Sequence, residues 1–312
     1  MMTERILHHY WPSPFAHKTR MALGLAALEW ASVEIPRVPP KPLLMPLTAG
    51  YRRTPVLQVG ADIYCDTYNI ALALAATNQT AAEGLFPGHT RGGALMIAEW
   101  IDQTVFPLAV RVVITEALDT APPEFIQDRG DLYFGPGWTP QDLRAQYPGV
   151  VLQLNAALRR LEAWLAGSGR CETRALSYGD VAAAFVAWFL RGRWHRGGEL
   201  IDQYSYLREV EAALETTGQQ PASELTAEAA LMIARQTKPM TATEITVKSD
   251  LVIGQPVAIR PYLNSSDPEV VGQLRALTAD RVSIDHEHKD TGHVAVHFPI
   301  AGYQIRGISS CS

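Results

Sequence analysis

The sequence predicts three kinds of fold in series: an α/β domain in residues 1–80, an all-helical domain in 90–237 and a small all-β domain, a barrel, in 240–312. Three observations carry this. The first stretch reads strand, helix, strand, hairpin, helix. From residue 91 apolar residues recur at helical spacing. Near residue 238 the pattern changes to Val/Ile/Thr alternation with regularly spaced turns. At 312 residues the chain exceeds the size at which single hydrophobic cores usually stop growing, so several domains are expected.

In the first domain, residues 5–10 form a short strand that ends at Trp11-Pro12-Ser13-Pro14, where two prolines forbid further ladder pairing. A helix over 15–28 follows, with Ser13 suited to the cap and Pro14 to the first turn. Residues 33–36 make a second strand, and the proline-rich 36–46 an irregular connection. Strands 54–59 and 63–65 flank a Gly-containing hairpin loop, after which Asp66-Thr67 caps a helix over 68–76.

Beyond a linker at 84–89, residues 91–118 read as one long helix with a kink at Pro107. The Pro- and Gly-rich stretch 122–148 holds a short helix near 140–145. Residues 149–166 then form an amphipathic helix that turns Leu152, Leu154, Leu158, Leu161 and Leu165 inward. Ser177 and Asp180 make a capping box before a helix over 181–190, and helices over 204–215 and 225–236 complete the region. Trp100, Trp164, Trp188 and Trp194 read as packing residues or as the lining of an acceptor pocket. In the tail, strands are expected at 245–247, 257–260, 270–277, 281–285, 293–298 and 303–305.

Composition excludes several functions. A formal net charge of −5 without a basic stripe argues against a nucleic-acid partner. Cys65, Cys171 and Cys311 are odd in number and widely spaced, which fits neither a disulfide framework nor a zinc site, and implies a reducing compartment. No long apolar run marks a signal peptide or membrane span, so a cytosolic protein is expected.

Three motifs in this order resemble the glutathione transferase superfamily over residues 5–215. Tyr10-Trp11-Pro12-Ser13-Pro14-Phe15 is similar to the family's strand-to-helix turn, where omega-type members carry cysteine and zeta-type members serine at the position of Ser13. Arg52-Arg53-Thr54-Pro55-Val56-Leu57 resembles the segment whose proline is cis and whose preceding residue pairs its backbone with the cysteinyl unit of glutathione; Thr54 stands where valine is commoner. Tyr64-Cys65-Asp66-Thr67 occupies the place of the acid-hydroxyl pair that holds the γ-glutamyl group, with a shorter acid than the family's. The Ser177 and Asp180 box stands where the family has its N-capping motif. The resemblance implies a thioredoxin-like N-terminal domain, a helical second domain and a homodimer.

It also implies a glutathione-dependent transferase in which Ser13 stabilises the thiolate for attack on a small apolar electrophile, with glutathione as co-substrate. Phe15, Arg53, Thr54, Pro55, Asp66 and Thr67 are the implied glutathione contacts, and no metal is expected. Serine at position 13 argues against thiol-disulfide transfer. The alternative is a non-catalytic glutathione-fold binding or scaffold protein whose β extension docks a partner.

Plainer roles remain open. Ser13 suits a simple helix cap, Pro55 a turn, Asp66 and Thr67 a helix start, and Arg53 an exposed charge. Cys65 reads as a buried strand residue rather than a nucleophile, and His17 as part of a solvated helix face. Strand alternation puts His286 and His288 on one face, with His293 brought beside them and His297 further along. That pattern fits an outward polar face better than a metal site. The extension from 240 is expected to contribute nothing directly to glutathione binding.

Overall fold

The computed structural model describes residues 4–262 and 267–308. In chain order its elements are β1 (Arg5–His9), α1 (Pro14–Leu25), β2 (Ala31–Glu34), α2 (Met45–Thr48), β3 (Val56–Val59), β4 (Asp62–Cys65) and α3 (Thr67–Ala75). Then come α4 (Gln79–Leu85), α5 (Arg91–Trp100), a π-helical turn (Ile101–Val105), α6 (Phe106–Ala117), α7 (Pro123–Tyr133) and α8 (Pro140–Ser168). A 3-10 turn (Cys171–Thr173) leads to α9 (Tyr178–Arg193), α10 (Gly197–Ile201) and α11 (Ser205–Leu214). The remainder is β5 (Ser223–Glu224), α12 (Ala227–Gln236), β6 (Glu244–Ile245), β7 (Pro256–Pro261), β8 (Val270–Leu277), β9 (Arg281–His288), β10 (Gly292–Pro299) and β11 (Tyr303–Gly307).

Two compact units result. One holds residues 1–16, 29–73 and 220–312, the other residues 17–28 and 74–219. In the first, β1 runs parallel to β2 and antiparallel to β3, and β3 pairs with β4 through the two-residue turn Gly60-Ala61, giving the thioredoxin-like strand arrangement. Gly60 takes φ +61°, which a residue without Cβ adopts at little cost.

The last third of the chain is where the expected division changes. Strands appear in the tail as the alternation predicts, but they do not make a sheet of their own. β10 pairs in parallel with β4, with Ala295 opposite Asp62 and His297 opposite Tyr64, so β7 to β11 continue the N-terminal sheet. β5 adds to its other edge, on β2, and α12 packs Ala230, Leu231 and Ala234 into the same core. The boundary therefore falls near residue 220 rather than 240, and the tail is part of the first unit. The physical reason is edge closure. β4 and β2 would otherwise present rows of unpaired N–H and C=O groups, and residues beyond 220 supply both missing neighbours.

The junction is braced by buried polar groups. His297 Nε2 lies 2.9 Å from Asp62 Oδ1 and its Nδ1 2.7 Å from Ser283 Oγ. An ionised carboxylate only accepts, so Nε2 carries the proton toward Asp62 and Ser283 donates its hydroxyl to Nδ1. Thr241 Oγ1 and the Met240 N–H also donate to Asp62, at 2.7 Å each. Ser283 is 1% exposed and His297 fully buried, so this relay serves as a cross-strand brace rather than a solvent-facing nucleophile. Gln58, buried in β3, adds a second tie by donating to Ala230 O of α12 at 2.9 Å.

The helical unit corrects several local expectations. α8 begins at Pro140, capped by Thr139, and passes through Pro148 instead of starting after it. Leu154, Leu158, Leu161 and Leu165 are fully buried, but Leu152 is 72% exposed. Two residues before Leu154 places it about 200° around the helix from that stripe. The break at Pro107 takes the form of the π turn just before it, where the Phe106 N–H reaches back to Ile101 O. The box at Ser177 forms as expected, and Arg174 clamps Asp180 with both guanidinium nitrogens. His17 is not solvated: it is 5% exposed and stacks on Trp188 with centroids 4.1 Å apart. Beside it Lys18, fully buried, pairs with Asp102 at 2.6 Å under the rings of Tyr178 and Phe185.

Removing the imidazole from the junction leaves Asp62 buried with one donor fewer. His297→Ala is expected to lower unfolding stability by about 3–5 kcal/mol, the scale for breaking a buried pair, as read from the urea midpoint.

A pH dependence follows from His8, fully buried in β1 and donating to Gln58 Oε1 at 2.8 Å. Burial pushes its pKa down to about 4, only partly opposed by the Gln58 bond. Since the unfolded value is near 6.5, the unfolded chain takes up the proton first as pH falls. The His8 contribution is complete above pH 6.5 and is lost as pH drops toward 4, roughly 3 kcal/mol for a shift of this size. Burial lowers His17 in the same sense, to about 3. Urea midpoints should fall steadily across that window, and less steeply in His8→Asn.

Candidate functional site

The residues that the resemblance implies for glutathione lie on the first unit, at three turns of its thioredoxin-like part. At the first, the chain leaves β1 and turns into α1. Ser13 N–H donates to Tyr10 O at 3.0 Å, and Ser13 Oγ accepts from the Ala16 N–H at 3.2 Å. The capping role is therefore filled. It uses a lone pair only, and the hydroxyl keeps its own proton to donate. Ser13 is 2% exposed, and Phe15 on the first helical turn is half-buried. The preceding loop is held by His9, which bonds Ser32 Oγ at 2.9 Å and packs edge-on to Trp11 and Trp30.

At the second turn the Thr54-Pro55 peptide is cis and β3 begins at the next residue. Thr54 is also held through its side chain. Its Oγ1 accepts from Lys41 Nζ at 2.7 Å, and the same ammonium donates to Arg52 O at 3.0 Å. Lys41 is 4% exposed, so this loop is tied from inside. In the proline-rich stretch 36–46 a single Lys among prolines is the one sequence signal for this tie.

Asp66 forms the third turn. It has φ +72°, in the left-handed region that Asp tolerates better than most side chains. Its Oδ1 accepts from the Tyr68 N–H at 2.9 Å and its carbonyl from the Ile70 N–H, which makes it the N-cap of α3, with Thr67 buried at the first helical position. Oδ2 accepts from the Tyr303 hydroxyl of β11 at 3.0 Å.

Arg53 is partly buried and ion-paired rather than a lone exposed charge. It grips Asp267 through Nε at 2.7 Å and Nη2 at 2.5 Å, while Arg52 Nε reaches the other carboxylate oxygen at 3.0 Å. Asp267 is 4% exposed. Burial works against the Arg53 charge, but Asp267 overrides it and the pKa is raised. Tyr303 and Tyr51 approach at 3.3 Å, and burial followed by the Asp66 carboxylate pushes both phenols well above their ordinary range. The extension thus reaches this part of the unit, because Asp267 and Tyr303 bond directly to Arg53 and Asp66.

Cys65 is fully buried in β4, where burial and then Asp66 raise its thiol well above the usual value. Of the histidines in the tail, His286 and His288 stack with centroids 6.3 Å apart, His293 bonds Asp285 at 2.7 Å, and His297 belongs to the junction brace. Among the described residues no group of three or more His, Cys, Asp or Glu is arranged to hold a metal ion. Cys311 lies outside the described residues. In the helical unit, Trp194 donates to Glu116 at 2.7 Å, Trp164 packs on Gly179, and Arg160 and Arg193 lie over Trp100 and Trp188.

Residues 12–77 match the family model described as glutathione S-transferase, N-terminal domain. A solved GST-like protein from Pseudomonas syringae is 30% identical, with a TM-score of 0.76 and 98% of this chain aligned to 100% of that one. The chain belongs to the glutathione S-transferase superfamily. Family members of lower identity share the fold. A glutathione S-transferase from Methylobacillus flagellatus KT, solved with glutathione bound, is 20% identical with a TM-score of 0.50, covering 68% of this chain and 95% of that one. The β-etherase LigF from Sphingobium sp. strain SYK-6 is 13% identical with a TM-score of 0.52, covering 69% and 96%. A search of curated proteins found no match. The family segment 12–77 contains Ser13, Phe15, Arg53, Thr54, Pro55, Asp66 and Thr67, whereas Asp267 and Tyr303 lie outside it.

The Lys41 ammonium is the internal tie of the Arg52 to Pro55 loop. Lys41→Met should cost about 1–3 kcal/mol, since two acceptors lose a buried cationic donor. An unaltered urea midpoint would show that the loop holds without it.

Proposed function

We propose that this protein is a glutathione-dependent transferase. The observation that carries the reading is the convergence on one family segment of a serine at the N-terminus of α1, a cis Thr54-Pro55 peptide and a carboxylate at the N-terminus of α3. The glutathione held by the Methylobacillus flagellatus relative supports the choice of thiol.

In this reading the Thr54 backbone pairs with the cysteinyl unit, and Asp66 with Thr67 receives the γ-glutamyl group. Phe15 and Pro55 border the peptide. A thiol of ordinary pKa near 8.5 is only a few per cent ionised at neutral pH, and the thiolate is the nucleophile. Each unit of depression needs about 1.4 kcal/mol of preferential anion stabilisation. The Ser13 hydroxyl and the positive end of α1 supply it together. The thiol proton leaves to solvent, the sulfur attacks an electrophilic carbon of a small apolar acceptor, and the new S–C bond forms as the leaving group departs with its electron pair. The same reading carries the homodimer that the family resemblance implies. A cytosolic setting accords with the free thiols of Cys65 and Cys171. No described helix is long and apolar enough to cross a membrane.

Ser13→Ala tests the assignment. Turnover with an electrophile panel should fall roughly ten- to a thousandfold while glutathione affinity is kept, the scale of losing one donor to a developing anion. Turnover equal to the parent would remove Ser13 from the chemistry, and affinity for glutathione with no turnover by either protein would favour a binding role.

A further inference from the structure

The C-terminal extension reaches the site at two points, and each bears on how a thiol peptide is read. At the first, the Asp66 carboxylate has a donor on each oxygen: the Tyr68 N–H on Oδ1 and the Tyr303 hydroxyl on Oδ2. A carboxylate offers about four lone-pair positions, so two bonds from fixed directions lock its plane and leave acceptor positions for an incoming cation. Tyr303 is itself held. Tyr51 donates to its oxygen at 3.3 Å, and its ring packs on Phe298, centroids 5.9 Å apart, which in turn meets Tyr51 edge-on at 5.5 Å. Because the phenol stays protonated far above neutral pH, it remains a donor wherever the protein is folded. At the second point, Asp267 Oδ2 takes the Nε and Nη2 edge of Arg53, one of the two edges by which a guanidinium can grip a carboxylate.

We propose that Tyr303 and Asp267 set which end of the thiol peptide this site reads. Tyr303 is a positioning residue that aims the Asp66 carboxylate at the γ-glutamyl ammonium, and Asp267, by holding one edge of Arg53 and pairing its charge, weakens its pull on the glycyl carboxylate. The site then recognises the γ-glutamyl-cysteinyl part of its thiol and is nearly indifferent to the glycine. This rests on the reading of the site as a glutathione site. It also assigns the extension a role in specificity that the family segment 12–77 does not contain.

Calorimetry on the full chain with three peptides tests it: glutathione, γ-glutamylcysteine, which lacks the glycine, and N-acetylglutathione, which lacks the ammonium. The unaltered protein should bind the first two within about threefold of each other, because Asp267 holds the side-on edge of Arg53 and pairs its charge, which leaves a glycyl carboxylate a weaker partner. Tyr303→Phe should weaken both by roughly ten- to a hundredfold, the equivalent of one hydrogen bond to a charged group, and leave N-acetylglutathione unchanged. Asp267→Asn should raise the preference for glutathione over γ-glutamylcysteine by about tenfold or more. A merely structural Tyr303 would weaken all three peptides alike, and that outcome overturns the positioning role, as does Tyr303→Phe with unaltered affinities. A tenfold preference for glutathione in the unaltered protein overturns the Asp267 half. If the unaltered protein binds neither glutathione nor γ-glutamylcysteine, the glutathione reading itself fails, which is a different result from any of these.

Discussion

The parallel pairing of β10 with β4 is the constraint on which the rest of the first unit depends. A thioredoxin-like sheet leaves β4 at its edge, and an unpaired edge is a template for unwanted association. Closing it with a parallel strand requires a long crossover. Here the crossover is most of the molecule, since the helical unit and α12 intervene between β4 and β10. The parallel sense also fixes where the chain goes next. Both strands run the same way, with His297 opposite Tyr64, so they leave the sheet at the same end. Asp66 follows β4 by one residue, and β11 begins at Tyr303, four residues after β10 ends at Pro299. Bringing Tyr303 to Asp66 is a consequence of that register.

The same register explains why a histidine stands inside the sheet. A parallel junction of three paired residues has little ladder to specify it, and a slip by one would turn every side chain to the other face. Asp62, His297 and Ser283 sit on three adjacent strands and satisfy one another only in the observed alignment. Burying that set brings no large gain over an apolar one of the same volume. Its value lies in excluding the slipped arrangements, which would leave a carboxylate and an imidazole unpaired in the core.

Much of this was legible in the sequence where the signal is local. Ser13 before Pro14, Thr54 before Pro55, Asp66 before a helical run and the Ser177 and Asp180 box each describe a few consecutive residues, and each element is present at its place. What escaped was pairing at long range. Alternation from residue 240 identifies strands but carries no information about which strand lies alongside, so nothing in the tail pointed to β4. His297 and Tyr303 looked like members of an outward polar face and a terminal strand, and the first is wholly buried by a neighbour 233 positions earlier at Tyr64. The same blindness accounts for Leu152, where hydrophobicity was legible but the phase of a helix that begins at Pro140 was not.

The two turns with the strongest functional motifs are also helix caps, and this overlap sets how far structure and chemistry can be separated here. Ser13 Oγ accepts from Ala16 N–H and Asp66 Oδ1 from Tyr68 N–H, so each side chain spends one acceptor on the fold. What remains differs in kind. The serine has a proton to give, which suits an anion. The aspartate has only lone pairs, which suit a cation. A thiol peptide with a γ-glutamyl ammonium carries both charges, the sulfur anion and the ammonium, at opposite ends of its first two residues. The extension reaches the second of these caps, because Tyr303 bonds the one oxygen of Asp66 that the cap does not use.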